Sequence, residues 1–246
     1  MSTTFASLGV PAPLVAALAD GGITEPFAIQ ALTIADGLAG RDVCGKAKTG
    51  SGKTLAFGLP ALTLTPRAEP GRPTTLVLVP TRELAVQVAD VLEPLGRAVD
   101  RRVLAVYGGA RIEPQAASLE RGIDIVIATP GRLIDLVDRK VVSLAAVSMV
   151  VLDEADRMVD MGFLPQVEWL LRHIEGEHQT MLFSATLDGA IDHMVKHYLR
   201  DPVRHEVESR TVTVEQMVHR FLLVHEMDKV RVLSAISENN PRTLAF

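Results

Sequence analysis

Cysteine is nearly absent from this sequence, which carries only Cys44 among its 246 residues. A single cysteine excludes an intramolecular disulfide and a cysteine-based metal cluster, and it favours a reducing compartment such as the cytoplasm. Long apolar runs are also missing, so we expect no membrane-spanning segment. Met1 is followed by Ser2 and two threonines instead of a basic region and an apolar stretch, and we therefore predict no secretion signal.

An excess of positive charge is missing as well. The chain has 25 lysines and arginines against 30 aspartates and glutamates, a net charge of −5. This balance argues against a broadly basic surface that coats nucleic acid, although local arginine clusters could still bind phosphates. With 48% hydrophobic and 22% charged residues, the composition fits a globular protein. The length suffices for one large α/β domain, or for one domain and part of a second.

The loop from Ala47 to Thr54, with the sequence AKTGSGKT, is the most informative stretch that is present. Gly50 and Gly52 allow backbone angles that other residues resist, so successive N–H groups can turn inward around an anion. A helix that begins near Gly52 would direct its positive end to the same place. Lys53 supplies a charge for the outer phosphates of a nucleotide, and the Thr54 hydroxyl is a hard oxygen ligand for Mg²⁺. The alternative is a glycine-rich turn with a solvated lysine.

Apolar, often β-branched runs alternate with helical patterns along the chain. Strands are predicted at 42–47, 75–79, 103–106, 125–128, 149–152 and 181–183. Helices are predicted within 5–18 and 26–38 and at 53–63, 82–95, 113–121, 132–138, 164–173 and 190–199. This alternation predicts an α/β fold in which helices cover both faces of a mostly parallel sheet. Such sheets bind ligands at the carboxyl ends of their strands.

Two acids, Asp153 and Glu154, follow the apolar strand at 149–152. Charge at the end of a buried strand is costly unless another charge pairs it. Mg²⁺ that bridges the β- and γ-phosphates would pair Asp153, while Glu154 could orient or deprotonate an attacking water. Helix capping is the alternative, and it would explain one of the two acids.

Together with the phosphate loop, the stretch Asp153-Glu154-Ala155-Asp156 makes the chain resemble the DEAD-box helicases, ATP-dependent remodellers of RNA built from two RecA-like domains. The loop that starts at Ala47 fits the family's own form of the phosphate loop, which begins with alanine. Further motifs follow in the family's order: Pro26-Phe27-Ala28-Ile29-Gln30, Pro80-Thr81-Arg82-Glu83-Leu84-Ala85, Gly108-Gly109, Thr129-Pro130-Gly131-Arg132 and Ser184-Ala185-Thr186. The resemblance covers residues 5–207 and implies a RecA-like P-loop NTPase domain that uses ATP and Mg²⁺.

The resemblance implies nucleotide contacts beyond the phosphate loop. The amide of Gln30 would pair with the adenine edge. Phe5 and Ile23 would also lie at the adenine; the family usually has an aromatic residue where Ile23 stands and a small hydroxyl residue where Phe27 stands. The phosphate contacts implied are Thr49, Gly50, Ser51, Gly52, Lys53 and Thr54. The implied catalytic residues are Lys53, Asp153 and Glu154, and the implied Mg²⁺ ligands are Thr54 and Asp153.

The resemblance also implies an RNA-binding surface. Its hydroxyls, arginines and glycine N–H groups come from Thr81, Arg82, Gly109, Thr129, Gly131 and Arg132, with Pro80, Gly108 and Pro130 shaping the turns. Such groups bind phosphates and sugars, so we expect a sequence-independent grip on a single strand, with 2′-hydroxyls favouring RNA. Taken singly, each is explained as an ordinary turn or surface charge. Ser184, Thr186 and Asp156 are implied to couple the acids to strand separation.

The resemblance divides the chain into a first RecA-like domain at 1–207, a linker at 208–217 and the beginning of a second domain at 218–246. The stretch 203–214 is interpreted as a last strand followed by linker. Segments 217–226 and 229–238 resemble the opening of the second domain, and its first strand would begin at Thr243. Residues 218–246 are too few for a core of their own, which leaves disorder, packing on the first domain, or self-association with another copy.

The leading hypothesis is the ATP-binding and hydrolysing domain of an RNA helicase that separates duplexes by ATP-driven closure of two domains. The family's arginine that reaches the γ-phosphate from the second domain has no counterpart here. Because such an arginine contributes about 10³–10⁵ in rate, we expect a poor ATPase from this chain alone. The alternatives are a non-catalytic module that binds nucleotide or a partner protein, and a helicase directed to DNA.

Overall fold

The computed structural model describes residues 3–207 and 222–239. The chain divides into two compact units, residues 1–209 and 210–246. The strands of the first unit are β1 (Val43–Lys46), β2 (Thr75–Leu78), β3 (Val103–Val106), β4 (Ile125–Ala128), β5 (Met149–Asp153), β6 (Gln179–Ser184) and β7 (Val203–Glu206). Its α-helices are α1 (Ala12–Asp20), α2 (Ala28–Leu38), α3 (Lys53–Leu64), α4 (Arg82–Ala98), α5 (Ile112–Leu119), α6 (Pro130–Asp138), α7 (Ala155–Asp160), α8 (Leu164–Arg172) and α9 (Gly189–Tyr198).

The second unit contains one 3₁₀ turn (Glu226–Asp228) and α10 (Lys229–Glu238) among its described residues. A further 3₁₀ turn, Ala6–Leu8, precedes α1 in the first unit. The predicted linker at 208–217 and the predicted strand from Thr243 lie outside the described residues, as does the first half of the segment 217–226. Within the two described ranges, no helix combines the length and the apolar character needed to cross a membrane.

The seven strands form one sheet in the order β3-β4-β2-β5-β6-β1-β7. All six neighbouring pairs are parallel. Parallel pairing needs a crossover that returns the chain to the same end of the sheet, and helices supply it here. The predicted α/β class with a parallel sheet is therefore confirmed.

Both faces of the sheet are buried. Along β2, Val77 belongs to the apolar cluster on one face, whereas Leu76 and Leu78 belong to the cluster on the other. Along β4, Ile127 and Val126 divide in the same way. Since successive side chains of a strand point to opposite faces, two covered faces require an unbroken apolar run. This explains why the sequence pattern located these strands.

Strand β1 forms although Gly45 has a low strand propensity. A Cβ atom built on Gly45 would lie 2.7 Å from the ring of Phe183 on the neighbouring strand β6. Glycine therefore lets this ring pack against the backbone of β1. Tertiary packing outweighs local propensity at this position.

The bounds of several elements differ from the predicted ones by up to three residues; helix α4, for example, continues to Ala98 instead of ending at 95. Strand β6 is longer than predicted and extends to Ser184. Helix α7 was not predicted as a separate element, because its six residues are too few to show a helical period.

Candidate functional site

The phosphate loop lies between β1 and α3, and helix α3 begins at Lys53 as predicted. Gly50 and Gly52 both have left-handed backbone angles, with φ of 81° and 87°. A Cβ atom on Gly52 would also lie 2.5 Å from Nε2 of Gln30 and 2.7 Å from the ring of Phe27. Glycine is required at this position both for its φ angle and for the close approach of these two side chains.

The Gln30 side chain connects the start of α2 to the phosphate loop. Its Nε2 donates to the carbonyl oxygen of Gly52 at 2.9 Å, and its Oε1 accepts from the backbone N–H of Phe27 at 2.8 Å. The residue is only 2% exposed. Both polar ends of the amide therefore have protein partners in this structure, and its contact with an adenine edge stays a prediction.

Lys53 and Asp153 form a buried ion pair in which Nζ lies 3.7 Å from Oδ1. Burial raises the pKa of Asp153 to about 6; the Lys53 charge opposes this rise, and the Glu154 carboxylate adds to it. Lys53 Nζ is buried and has no hydrogen-bond partner among the described residues, and the same holds for the Ser51 hydroxyl. A buried ammonium without acceptors is suited to binding an anion.

Glu154 adopts a left-handed conformation, with φ of 52° and ψ of 49°, between β5 and α7. This region is uncommon for residues other than glycine, and such strain clusters at functional sites. The carboxylate accepts from the Thr49 hydroxyl at 3.1 Å and from Arg157 Nη1 at 3.2 Å. The sequence analysis missed Arg157; the available signal was a basic residue three positions after an acid on a helix.

Thr54 and Asp153 offer a hydroxyl and a carboxylate, the hard oxygen donors that Mg²⁺ prefers. Among residues 3–207 and 222–239, no group of three or more histidine, cysteine, aspartate or glutamate side chains is arranged to hold a metal. Mg²⁺ commonly takes one or two protein ligands and completes its shell with phosphate oxygens and water. The donor set therefore fits Mg²⁺ bound together with a nucleotide.

The turn after β6 is joined to the turn after β5. Asp156 Oδ2 accepts from the backbone N–H of Ala185 at 3.1 Å. In the opposite direction, the Ser184 hydroxyl accepts from the backbone N–H of Asp156 at 3.3 Å and from that of Thr186 at 3.4 Å. A change in the position of Asp156 would therefore be transmitted to the turn that carries Thr186.

The predicted RNA contacts occupy the turns after β2, β3 and β4. Thr81 caps helix α4 and accepts from the backbone N–H of Leu84. The guanidinium of Arg82 lies 5.5 Å from the centre of the Tyr107 ring. Arg132 donates through Nη2 to the carbonyl oxygen of Ala110 at 2.9 Å, while its buried Nη1 has no partner among the described residues.

The remaining residues of this predicted surface shape the same turns. Thr129 and Pro130 stand at the start of α6, and Pro130 is buried. Gly109 has a φ of 75°, and both Gly108 and Gly131 are exposed. Pro80 is buried directly before the Thr81 cap.

The strand order places the turns predicted to bind RNA on one side of Asp153 and the phosphate loop on the other side. The turns after β3, β4 and β2 lie side by side, followed by β5 with Asp153, then β6 with Ser184, and then β1 with the phosphate loop.

Phe5, assigned to adenine by the resemblance, is 2% exposed and packs in the apolar core. Ile23, with the same assignment, is partly exposed. Their adenine contacts stay predictions.

The profile of the DEAD/DEAH box helicase family matches residues 27–194. The chain belongs to the DEAD/DEAH box helicase family. Among its curated relatives, the DEAD-box ATP-dependent RNA helicase CshA of Bacillus licheniformis is 39% identical over the whole chain. The ATP-dependent RNA helicase DeaD of Escherichia coli K12 is 43% identical over 94% of the chain. The chain covers 50% and 37% of these relatives, respectively.

Two solved structures share the fold of this DEAD/DEAH box chain. A DEAD box protein from Methanococcus jannaschii is 31% identical, with a TM-score of 0.79, and the match covers 97% of this chain and 64% of that one. A hypothetical ATP-dependent RNA helicase from Sulfolobus tokodaii is 38% identical, with a TM-score of 0.73, and the match covers 79% and 56%. The chain thus spans about half the length of the curated relatives.

Proposed function

We propose that this chain binds ATP with Mg²⁺ and hydrolyses it as the first domain of an RNA helicase. The observation that carries this proposal is the Lys53 ammonium, which is buried without a hydrogen-bond acceptor among the described residues and lies 3.7 Å from Asp153. It stands at the start of α3, directly after two left-handed glycines whose loop can point N–H groups at an anion. The oxygens of a triphosphate would satisfy these donors together.

Each polar residue at this end of the sheet then has a chemical role. Lys53 binds the outer phosphates, and Thr54 and Asp153 would hold Mg²⁺. An Mg²⁺ ion held by these two residues would supply positive charge to stabilise the phosphates during transfer. Glu154 orients or deprotonates the attacking water, since its carboxylate is held in place by Thr49 and Arg157.

RNA is proposed to bind across the turns after β3, β4 and β2. Hydroxyl, guanidinium and backbone N–H groups in these turns bind phosphates and sugars without reading bases. The hydrogen bonds between Asp156 and the turn from Ser184 to Thr186 join the turn after β5 to the turn after β6, and this contact supports the proposed coupling of the acids to strand separation. The printed names of the relatives, both RNA helicases, support RNA as the partner.

Domain closure is proposed to drive the remodelling of RNA. We propose residues 1–207 as the first RecA-like domain, 208–217 as a linker and 218–246 as the start of a second domain, which also offers a route to self-association. ATP bound at Lys53 would draw the second domain onto the first and bend the strand between them. An arginine that contacts the γ-phosphate contributes about 10³–10⁵ in rate, and the chain spans about half the length of its curated relatives, so we propose that the chain alone is a slow ATPase. The single, buried Cys44 agrees with a cytoplasmic setting.

Phosphate release from ATP, measured with and without single-stranded RNA, tests this proposal. Glu154→Gln serves as the blank, because it should retain ATP binding yet lose hydrolysis. We expect measurable ATP binding with slow release. Failure of the wild-type chain to bind ATP would overturn the proposal, and unchanged turnover in Glu154→Gln would remove this residue from its role. Fast, RNA-stimulated release would refute the need for a second domain.

A non-catalytic nucleotide- or partner-binding module is the second candidate, because the chain spans only about half the length of its curated relatives. Multiple turnover by the purified chain would refute it. A DNA-directed helicase is separated from an RNA helicase by competition between matched RNA and DNA oligonucleotides. Tighter binding of the chain to the RNA oligonucleotide than to the DNA oligonucleotide would support contacts with the 2′-hydroxyl.

A further inference from the structure

Arg82 extends its side chain from the turn after β2 to the turn after β3. Its guanidinium carbon lies 5.5 Å from the centre of the Tyr107 ring, and its Nη1 lies 3.9 Å from the position that a Cβ atom of Gly109 would occupy. Strand β4 lies between β2 and β3 in the sheet. The side chain of Arg82 therefore spans the carboxyl end of β4 to reach a turn that its own strand does not neighbour.

The Tyr107 ring contacts a cation that has no acid beside it. Among residues 3–207 and 222–239, the exposed guanidinium of Arg82 forms neither an ion pair nor a hydrogen bond. Arg139, by contrast, pairs with Asp135 at 2.7 Å. An aromatic ring attracts a cation without accepting an N–H bond, so all five donors of the Arg82 guanidinium stay available for another acceptor. A carboxylate partner would instead compete with a phosphate for them.

Gln115 on α5 fixes the turn that carries Tyr107. Its Oε1 accepts from the backbone N–H of Tyr107 at 3.2 Å, and its Nε2 donates to the carbonyl oxygens of Tyr107 at 3.2 Å and of Arg111 at 3.4 Å. Gln115 is only 9% exposed. These bonds attach both ends of the turn 107–111 to one helix, and the ring under Arg82 is thereby held in place.

We propose that Tyr107 and Gln115 are positioning residues for Arg82, which they hold ready for a phosphate of single-stranded RNA. This inference rests on the proposed RNA surface formed by the turns after β3, β4 and β2. A free arginine side chain loses rotamer entropy when it binds a ligand, whereas one that is already ordered on a ring loses less. Tyr107 therefore raises the affinity for RNA through Arg82 and not through a contact of its own.

A double-mutant cycle of Tyr107→Leu and Arg82→Gln tests the inference, with binding of a single-stranded RNA oligonucleotide to the full chain measured by fluorescence anisotropy. Tyr107→Leu should weaken RNA binding by roughly twofold to fivefold, the magnitude of an exposed cation–π contact. In the Arg82→Gln background the same substitution should have no further effect, because the side chain that the ring positions is gone. Tyr107→Phe keeps the ring and should bind RNA like the wild type.

Gln115→Met tests the turn with a side chain of similar length that cannot form the three hydrogen bonds. It should weaken RNA binding more in the wild type than in Arg82→Gln. Leu119→Ala removes a buried side chain from the same helix, so it should destabilise the chain yet leave the RNA affinity unchanged. Inorganic tripolyphosphate should bind equally well to all of these variants, since the phosphate loop lies on the other side of Asp153.

Equal effects of Tyr107→Leu in the wild type and in Arg82→Gln would overturn the inference, because the ring would then act independently of Arg82. A loss of RNA affinity in Leu119→Ala as large as that in Gln115→Met would overturn the role of Gln115, since destabilisation of α5 would explain both. If Arg82→Gln binds RNA like the wild type, the proposed RNA contact itself fails, and the inference fails with it.

Discussion

Gln30 donates a hydrogen bond of 2.9 Å to the carbonyl oxygen of Gly52, and this bond holds the phosphate loop against the first turn of α2. The two residues are 22 positions apart in sequence. Since the carbonyl of Gly52 immediately precedes the Lys53 amide at the start of α3, the bond orients the part of the loop that faces a phosphate. Gln30 therefore acts on the nucleotide site through the backbone.

Gln30→Ala should weaken the binding of ATP and of inorganic tripolyphosphate to the same degree. Both ligands bind to the phosphate loop, and the variant lacks the hydrogen bond to Gly52 that orders this loop. The free energy of unfolding should fall by about 1–3 kcal/mol, since the partners of a buried amide lose their hydrogen bonds. Calorimetry and urea denaturation measure the two effects. Gln87→Ala, at an exposed position on α4, is the control. A loss confined to ATP would instead show that Gln30 reads the base.

Arg82 and Arg97 stand at opposite ends of α4, and only Arg82 lies at the end predicted to bind RNA. Arg82→Gln should weaken binding of single-stranded RNA and reduce the slope of log K against log salt by about 0.7, the contribution of one phosphate contact. Arg97→Gln should leave both quantities unchanged. A salt titration by fluorescence anisotropy separates these outcomes. Equal slopes for Arg82→Gln and the wild type would contradict the proposed contact.

Asp124 is a buried carboxylate that accepts from the backbone N–H groups of Ala68 and Arg102, at 2.8 Å and 2.7 Å, and pairs with Arg67. Asp124→Ala should lower the free energy of unfolding by about 3–5 kcal/mol, because it leaves these donors unpaired. Asp100 also pairs with Arg67 but is exposed, so Asp100→Ala should cost less than about 1 kcal/mol. Urea denaturation measures the free energy of unfolding of both variants. A similar decrease in the two variants would contradict the prediction.

Burial raises the pKa of the Cys44 thiol from 9.0 to about 11; the neighbouring Arg204 opposes the rise. The unfolded chain therefore loses this proton at a lower pH than the folded chain. The contribution of Cys44 to stability is complete below pH 9 and decreases as the pH rises through 11, by about 3 kcal/mol in total.

Urea denaturation of the wild type and of Cys44→Ala at pH 7.5 and pH 10.5 measures this effect. The wild type should lose more stability than the variant between the two values. Comparing the change with pH, rather than the stability at one pH, removes the cost of the cavity that the substitution creates. Equal changes would show that the thiol titrates normally in the folded chain.

Much of the fold could be predicted from the sequence. Continuous apolar runs such as Leu76 to Leu78 identify strands that are buried on both faces, and the glycines before Lys53 mark where α3 begins. The resemblance named the residues of the candidate site in order. Helix α7 was missed because it is short, and Arg157 was missed with it, because the i,i+3 spacing from Glu154 indicates an ion pair only once a helix is recognised there.

The sequence by itself determined the elements and the chemical types of the site residues, because hydrophobic period, glycine angles and motif spacing are local properties. The tertiary structure alone decided which of these residues meet. The strand order β3-β4-β2-β5-β6-β1-β7 places Thr49 beside Glu154, 105 residues away, and commits the Gln30 amide to Gly52. It also leaves the ring of Phe27 exposed while Phe5 is buried. These outcomes depend on packing between distant segments, to which no local pattern of residues corresponds.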